Sequence, residues 1–306
     1  MKRTSEIKFY KHNILFINIA FLFMIACGDN GSEPKEPDTL NNKTIYSVES
    51  YNEIVTSPEF EFHPRWSNDG SKIAFARFNP ETSELGLWVW EKSTGSINLI
   101  TTGLKGDVSP TWRHDDSLIA YDARDGNDVS RIYIVKILDS SVRVFTSGQN
   151  AFRPCWSKNG SKIAYISQNS VFVKDINGGS AQKVEGSEGA WNPEWNADGT
   201  KILFTTPGSN ATVNIIKEDG SNLQKLFTTP SSGEVWTKWS PDNSHIIYDK
   251  ESGDNSNLFV YELSTGNENA LTTSNDCRFL DWSPNELFIV YVEGDNLWEM
   301  KLARNE

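Results

Sequence analysis

The chain has 306 residues, 41 acidic against 29 basic, and a net charge of −12. So acidic a surface excludes nucleic acid and direct adsorption to anionic lipid as partners, because both require a basic footprint.

Residues 1 to 26 carry Lys2, Arg3, Lys8 and Lys11, followed by an uncharged apolar run from Ile14 to Ala26. The run is too short to cross ~30 Å of hydrocarbon and has the layout of a secretory signal peptide. Its end, Met24-Ile25-Ala26-Cys27, resembles a bacterial lipobox, with methionine where leucine is usual. The resemblance implies that Cys27 is acylated and becomes the first residue of a mature chain held in the cell envelope, at the outer membrane. Contact with the membrane is then through the lipid alone. Ordinary cleavage nearby, giving a free periplasmic protein, is the alternative. Loss of residues 1 to 26 leaves 25 basic against 40 acidic residues, a net charge of −15. The next segment, residues 27 to 43, reads CGDNGSEPKEPDTLNNK, with no large aliphatic before Leu40. It is expected to be a flexible tether with a reach of roughly 20 Å.

Residues 44 to 306 are dominated by a repeat. Trp66, Trp112, Trp156, Trp195, Trp239 and Trp282 recur at spacings of 46, 44, 39, 44 and 43 residues. The copies read HPRWSNDGSKIAF, SPTWRHDDSLIAY, RPCWSKNGSKIAY, NPEWNADGTKILF, WTKWSPDNSHIIY and FLDWSPNELFIVY. Each gives a short strand up to the tryptophan, a tight turn in which Gly supplies φ > 0 and Asp or Asn bonds its own backbone, and a second strand such as Lys72 to Phe75. Alternating apolar runs follow, for example Leu87 to Trp90 and Leu258 to Tyr261, then a turn and a strand ending near Thr. Four strands per ~43 residues make one propeller blade. The prolines at 64, 110, 154 and 193 stand two before their tryptophans. Proline cannot donate to a ladder, so this first strand must be a sheet edge, the innermost strand facing the axial channel. The tryptophans are then expected between neighbouring blades, each indole N–H bonded to an acceptor.

The fold predicted is therefore all-β, a six-bladed β-propeller of four-stranded antiparallel blades. The PxWSxDGSKIAF-like segments, together with Asp122 to Asn127 running into Arg131 to Val135, resemble the TolB-like propeller repeat over residues 52 to 302. The resemblance speaks for fold rather than function, because this repeat serves unrelated proteins. The TolB protein itself has an α/β domain ahead of its propeller. This chain offers only the tether there, so a role identical to TolB is not expected.

The other end of the chain bears on closure. After Trp282 only 24 residues remain, enough for Leu287 to Val292 and Leu297 to Leu302 but not for a fourth strand. Asn52 to Thr56 stands in the register of an outermost strand and is predicted to complete blade six, antiparallel to 297–302. Cys155 and Cys277 fall in opposite blades and are read as small buried residues without a mutual bond. Residues just before the tryptophans give the alternating series Glu194, Lys238, Asp281, Arg65, predicted to pair across blade boundaries.

A catalytic constellation is not evident. His63, His114 and His245 stand at different offsets from their tryptophans, so no convergent metal cluster is expected, and there is no GxSxG or HExxH. Asp122, Asp125 and Asp128 have the composition of a calcium site, but a polar hairpin loop is the preferred reading. No cofactor is expected. Binding remains, and the variable positions three before each tryptophan, at the mouth of the channel, are where it is expected. His63, Arg153, Asn192, Trp236 and Phe279, with Trp191 and Arg278 beside them, are the candidate contact residues. The partner is expected to be an envelope protein. A carbohydrate-binding or carbohydrate-processing surface component is the alternative, its partner a glycan, with Trp191 and Trp236 as stacking platforms.

Overall fold

A computed structural model describes residues 46–230, 234–252, 255–273 and 276–304. These form six four-stranded antiparallel sheets, and in every sheet the strand carrying the repeat tryptophan is at one edge. Those inner strands are Phe60–Trp66, Thr111–Trp112, Phe152–Trp156, Trp191–Trp195, Thr237–Trp239 and Cys277–Trp282. Their edge position agrees with the prolines, and it puts the six tryptophans around one channel.

The turn after each tryptophan bonds itself. In blade one Ser71 N donates to Asp69 Oδ1 at 2.8 Å, and Ser67 Oγ accepts from Lys72 N at 2.9 Å. In blade three Asn159 Oδ1 and Ser157 Oγ repeat the pattern. Gly160, at φ +66, also meets the preceding blade: a Cβ there would stand 2.3 Å from His114 Nδ1, so the His114 side chain would have to shift.

Trp112 packs among Ala74, Ala76 and Leu87 of blade one and Ile119 and Tyr121 of its own blade. Trp195 does the same between blades three and four. The tryptophans thus lie between blades as expected, but their indoles do not all find acceptors. Trp112 Nε1 donates to Arg65 O at 3.0 Å and Trp239 Nε1 to Glu194 O at 3.4 Å, whereas Trp66, Trp156, Trp195 and Trp282 have no partner for theirs. The contact reaches for a backbone carbonyl on the preceding blade. Such a carbonyl moves with the packing angle between blades, so a repeat in sequence does not guarantee a repeat in hydrogen bonding. Cys155 and Cys277 are both buried and are not joined to each other by a disulfide.

Closure is by strand addition. Tyr46–Val55 pairs antiparallel with Asn296–Arg304, from Tyr46 opposite Arg304 to Val55 opposite Leu297, and makes the fourth strand of blade six. The strand starts six residues before Asn52 and ends at Val55 instead of Thr56. Its extra length has a purpose in packing: Tyr46 is buried, with its ring edge-on to His245 at 5.3 Å and Trp282 at 5.4 Å. Tyr51 Oη donates to Leu271 O at 3.2 Å, so the strand grips blade five as well as blade six. Cys27 and the tether lie outside the described residues.

Candidate binding site at the channel mouth

The position three before the tryptophan is built in two ways. In blades one, three, four and six the inner strand slips register between Phe62 and Arg65, Phe152 and Cys155, Trp191 and Glu194, and Arg278 and Asp281. One extra residue on the inner strand makes a β-bulge. The bulged residues are in the left-handed region: His63 at φ 51, Arg153 at 58, Asn192 at 49 and Phe279 at 53. For the bulky Arg153 and Phe279 that conformation is strained, while Asn192 and His63 adopt it at lower cost.

Blades two and five have an aspartate ten residues after the tryptophan instead of Ala76, Ile166, Thr205 or Val292. Asp122 Oδ1 accepts Ser109 N at 2.8 Å, and Asp249 Oδ1 accepts Trp236 N at 2.5 Å. With that N–H held, Ser109 and Trp236 stay out of the left-handed region. Proline does not decide between the two forms, since unbulged blade two has Pro110 and bulged blade six has Leu280.

His63, Ser109, Arg153, Asn192, Trp236 and Phe279 converge on a cavity of about 30 Å³ on the axis. Arg153 is its centre. Its side chain is only 6% exposed, and its Nη2 is 2.8 Å from both Asp107 Oδ2 and Glu234 Oε2. The guanidinium lies over the Trp236 ring at 4.1 Å and the Trp191 ring at 5.3 Å. His63 Nε2 is 2.8 Å from Asp107 Oδ1, and its ring packs against Trp236 and Phe279 at 4.6 and 4.3 Å. Asn192 Nδ2 donates to Val235 O at 3.1 Å.

Five of the seven candidate residues therefore line the cavity. Trp191 and Arg278, one residue earlier on their strands, do not: Trp191 packs on Phe152 at 4.9 Å, and Arg278 is exposed and ion-paired to Asp276. Side chains alternate along a strand, which turns these two off the axis. Asp107 and Glu234, the carboxylates on Arg153, lie outside the seven residues that the sequence singles out. Both stand five before the tryptophan of an unbulged blade, and that shared offset was the available signal.

Burial drives His63 toward the neutral form against the pull of Asp107. Burial also opposes ionisation of Asp107, but His63 and Arg153 outweigh it and hold that carboxyl well below the usual range. Asp122 is pushed up to about 7, mostly by burial and then by Asp107, and burial pushes Asp249 up to about 8.

Beneath the mouth the channel is closed by charge. Lys238 Nζ reaches Glu194 at 2.5 Å and Arg65 lies 3.7 Å from Asp281, both across blade boundaries as predicted. The bidentate contact, however, is Arg65 to Glu194 at 2.8 and 3.0 Å, which spans the channel from blade one to blade four. The axis is narrow enough for long side chains of opposite blades to meet, which chain order does not reveal. Arg65, Glu194 and Lys238 line both the mouth cavity and a cavity of about 180 Å³ at the tryptophan end, and so stand between them.

Ser109, His63 and Asp107 share the mouth, but Ser109 Oγ has no hydrogen-bond partner, so the nucleophile–base contact of a triad is not made. Among the described residues no group of three or more His, Cys, Asp or Glu is placed to hold a metal ion. Asp125 accepts from Asn127 N and Val129 N and pairs with Arg131, while Asp128 pairs with Arg124, which is the polar hairpin expected.

A family model described as the TolB beta propeller domain matches residues 142–306, more than half of the chain. Comparison with curated protein sequences gives no match. Among solved structures the chain is similar to TolB from Acinetobacter baumannii, at 20% identity and a TM-score of 0.61 over 83% of this chain and 57% of that one. The chain thus spans 57% of the length of that relative. It is similar to a putative TolB from Agrobacterium tumefaciens, at 18% identity and 0.62 over 83% and 93% of the two chains. Oligogalacturonate lyase from Vibrio parahaemolyticus follows at 11% identity and 0.56, over 83% and 95%. At these identities the likeness is one of fold.

Proposed function

The chain belongs to the TolB beta propeller domain family, and from that premise we propose that it is a non-catalytic cell-envelope lipoprotein whose channel mouth docks a partner protein. The observation that carries this reading is the strained ring at the mouth. His63, Arg153, Asn192 and Phe279 hold left-handed backbone conformations at bulges within paired strands, whereas the left-handed residues at the other end, such as Asp116, Asn243 and Glu286, sit in tight turns. Local strain of this kind collects at binding and switch sites, and an arginine packed among tryptophans is the usual make-up of an interface anchor.

A protein suits the mouth better than a sugar does. Arg153 occupies a face of Trp236 and Phe279 meets its ring edge-on at 5.0 Å, so this ring is not an open stacking platform. Nucleic acid is disfavoured by the acidic balance of the chain.

Co-purification from detergent-solubilised envelopes tests the docking. The wild-type chain should retain an envelope protein that the Arg153→Ala/Trp236→Ala variant, if its melting shows it folded, does not. Equal retention by both would place the contact elsewhere. In the same cells a palmitate analogue should label the wild-type chain and not Cys27→Ser; label on both would remove the anchor from the proposal.

A further inference from the structure

Four residues of the mouth cavity each keep a buried polar atom without a hydrogen-bond partner: His63 Nδ1, Ser109 Oγ, Arg153 Nη1 and Asn192 Oδ1. They come from blades one to four, and each side chain is buried. An unpaired buried polar atom is costly, so four around one cavity call for partners, which ordered water supplies in the free chain and a docked polar group replaces on binding.

Their other contacts fix what that group must offer. His63 Nε2 faces the Asp107 carboxylate and carries the ring proton, so in the neutral ring Nδ1 accepts. Asn192 Nδ2 is spent on Val235 O, which leaves Oδ1 as an acceptor. Arg153 Nη1 donates, and Ser109 Oγ does either. The cavity thus presents two acceptors, one cationic donor and one hydroxyl.

A carboxylate has no hydrogen for the two acceptors and would join Asp107 and Glu234, which already neutralise Arg153. An ammonium has no lone pair for Arg153 and would meet its charge. A neutral group with one strong acceptor and two N–H bonds satisfies the set. At about 30 Å³ the space suits a group of roughly two water volumes, the size of a terminal amide rather than of a sugar ring.

We propose that the mouth cavity takes a carboxamide, the side chain of an asparagine or glutamine at the tip of the partner. This rests on the docking reading and names the group that reading leaves open. The carbonyl oxygen serves Arg153 and Ser109, and the amide hydrogens serve His63 and Asn192. The charge cluster of Arg65, Glu194 and Lys238 floors the cavity, so a side chain enters without the partner threading the channel.

Butyramide, butyrate and butylammonium are probes of similar length that separate the three chemistries. The full chain, labelled with ¹⁵N in its tryptophan side chains, is titrated with each in detergent, and the Trp236 and Trp191 indole signals are identified from Trp236→Phe and Trp191→Phe. Butyramide should shift the Trp236 signal saturably, at concentrations at least about tenfold lower than butyrate or butylammonium. Ser109→Ala should weaken that response with its melting temperature unchanged, since the hydroxyl has no partner within the chain. Butyrate or butylammonium binding as well as butyramide, or Ser109→Ala responding like the wild type, would overturn the assignment. So would no response to butyramide from a chain that still retains its partner through the mouth, an outcome that would leave the docking reading standing.

Discussion

Blades two and five share the tryptophan repeat with the other four, yet their inner strands run differently at the mouth. In blades one, three, four and six a bulge turns one residue into the left-handed region. In blades two and five Asp122 or Asp249 takes the backbone N–H of the corresponding residue and the strand stays regular. The same two blades supply Asp107 and Glu234, the carboxylates on Arg153. A repeat can thus hold its core constant and still present two kinds of inner edge. One side chain on the second strand accompanies the change.

Blade six is where the set of bulged blades breaks most easily, because its outer strand comes from the far end of the chain. A chain starting at Phe60 lacks Tyr46–Val55 and leaves that blade with three strands. It should lose cooperative unfolding or aggregate, whereas a chain starting at Thr44 should unfold in one transition. Equal melting of the two would show that closure does not depend on this strand.

Blade five allows a sharper cut. Asp249→Ala leaves Trp236 N–H without its carboxylate acceptor and should cost about 2 kcal/mol by denaturant titration. Asp249→Asn keeps an acceptor oxygen and should cost less than about 0.5 kcal/mol at neutral pH. If the two variants are equally stable, the Asp249 side-chain oxygen does not hold the strand.

The same residues set a dependence on pH. The carboxyls of Asp122 and Asp249 are raised from 3.8 to about 7 and about 8 in the folded chain. The folded state therefore binds their protons more tightly than the unfolded state does. Their contribution is complete below about pH 4 and is lost as pH rises through 7 and 8, so ∂ΔG/∂pH is negative over that window. Stability should fall between pH 5 and pH 9, and Asp249→Asn should flatten the slope. A slope unchanged in that variant would assign the dependence to other groups.

The smallest expected effect compares one residue of each kind. Asn192→Ala puts alanine at φ 49 and removes the bond to Val235, for a loss of about 1–2 kcal/mol. Ser109→Ala, at the same place in a regular strand, should change stability by less than about 0.5 kcal/mol. Equal costs from chemical denaturation would mean that the left-handed conformation is not what distinguishes the sites.

Much of this architecture was legible in the sequence because its signals are local. The tryptophan, the self-bonded turn and the next strand lie within about a dozen residues and recur six times. The ring three before the tryptophan could be named for the same reason, and five of its proposed contacts do line the cavity. Trp191 and Arg278 were misplaced because adjacency in sequence was taken for adjacency in space, against the alternation of a strand. The bulge was hidden because its correlate, Asp122 or Asp249, lies on another strand. The prolines do not report it. Arg65 to Glu194 was out of reach for a different reason, since a contact across a channel depends on its width.

The central claim is that the mouth, and not the outer rim, meets a partner. A photo-crosslinking amino acid placed at Trp236, and separately at Leu138, which is 84% exposed on blade two, tests it directly in living cells. The account predicts a discrete adduct with an envelope protein from position 236 that is lost when Arg153→Ala is added, and none from position 138. Adducts from 138 alone, or adducts from 236 that persist with Arg153→Ala, would contradict it.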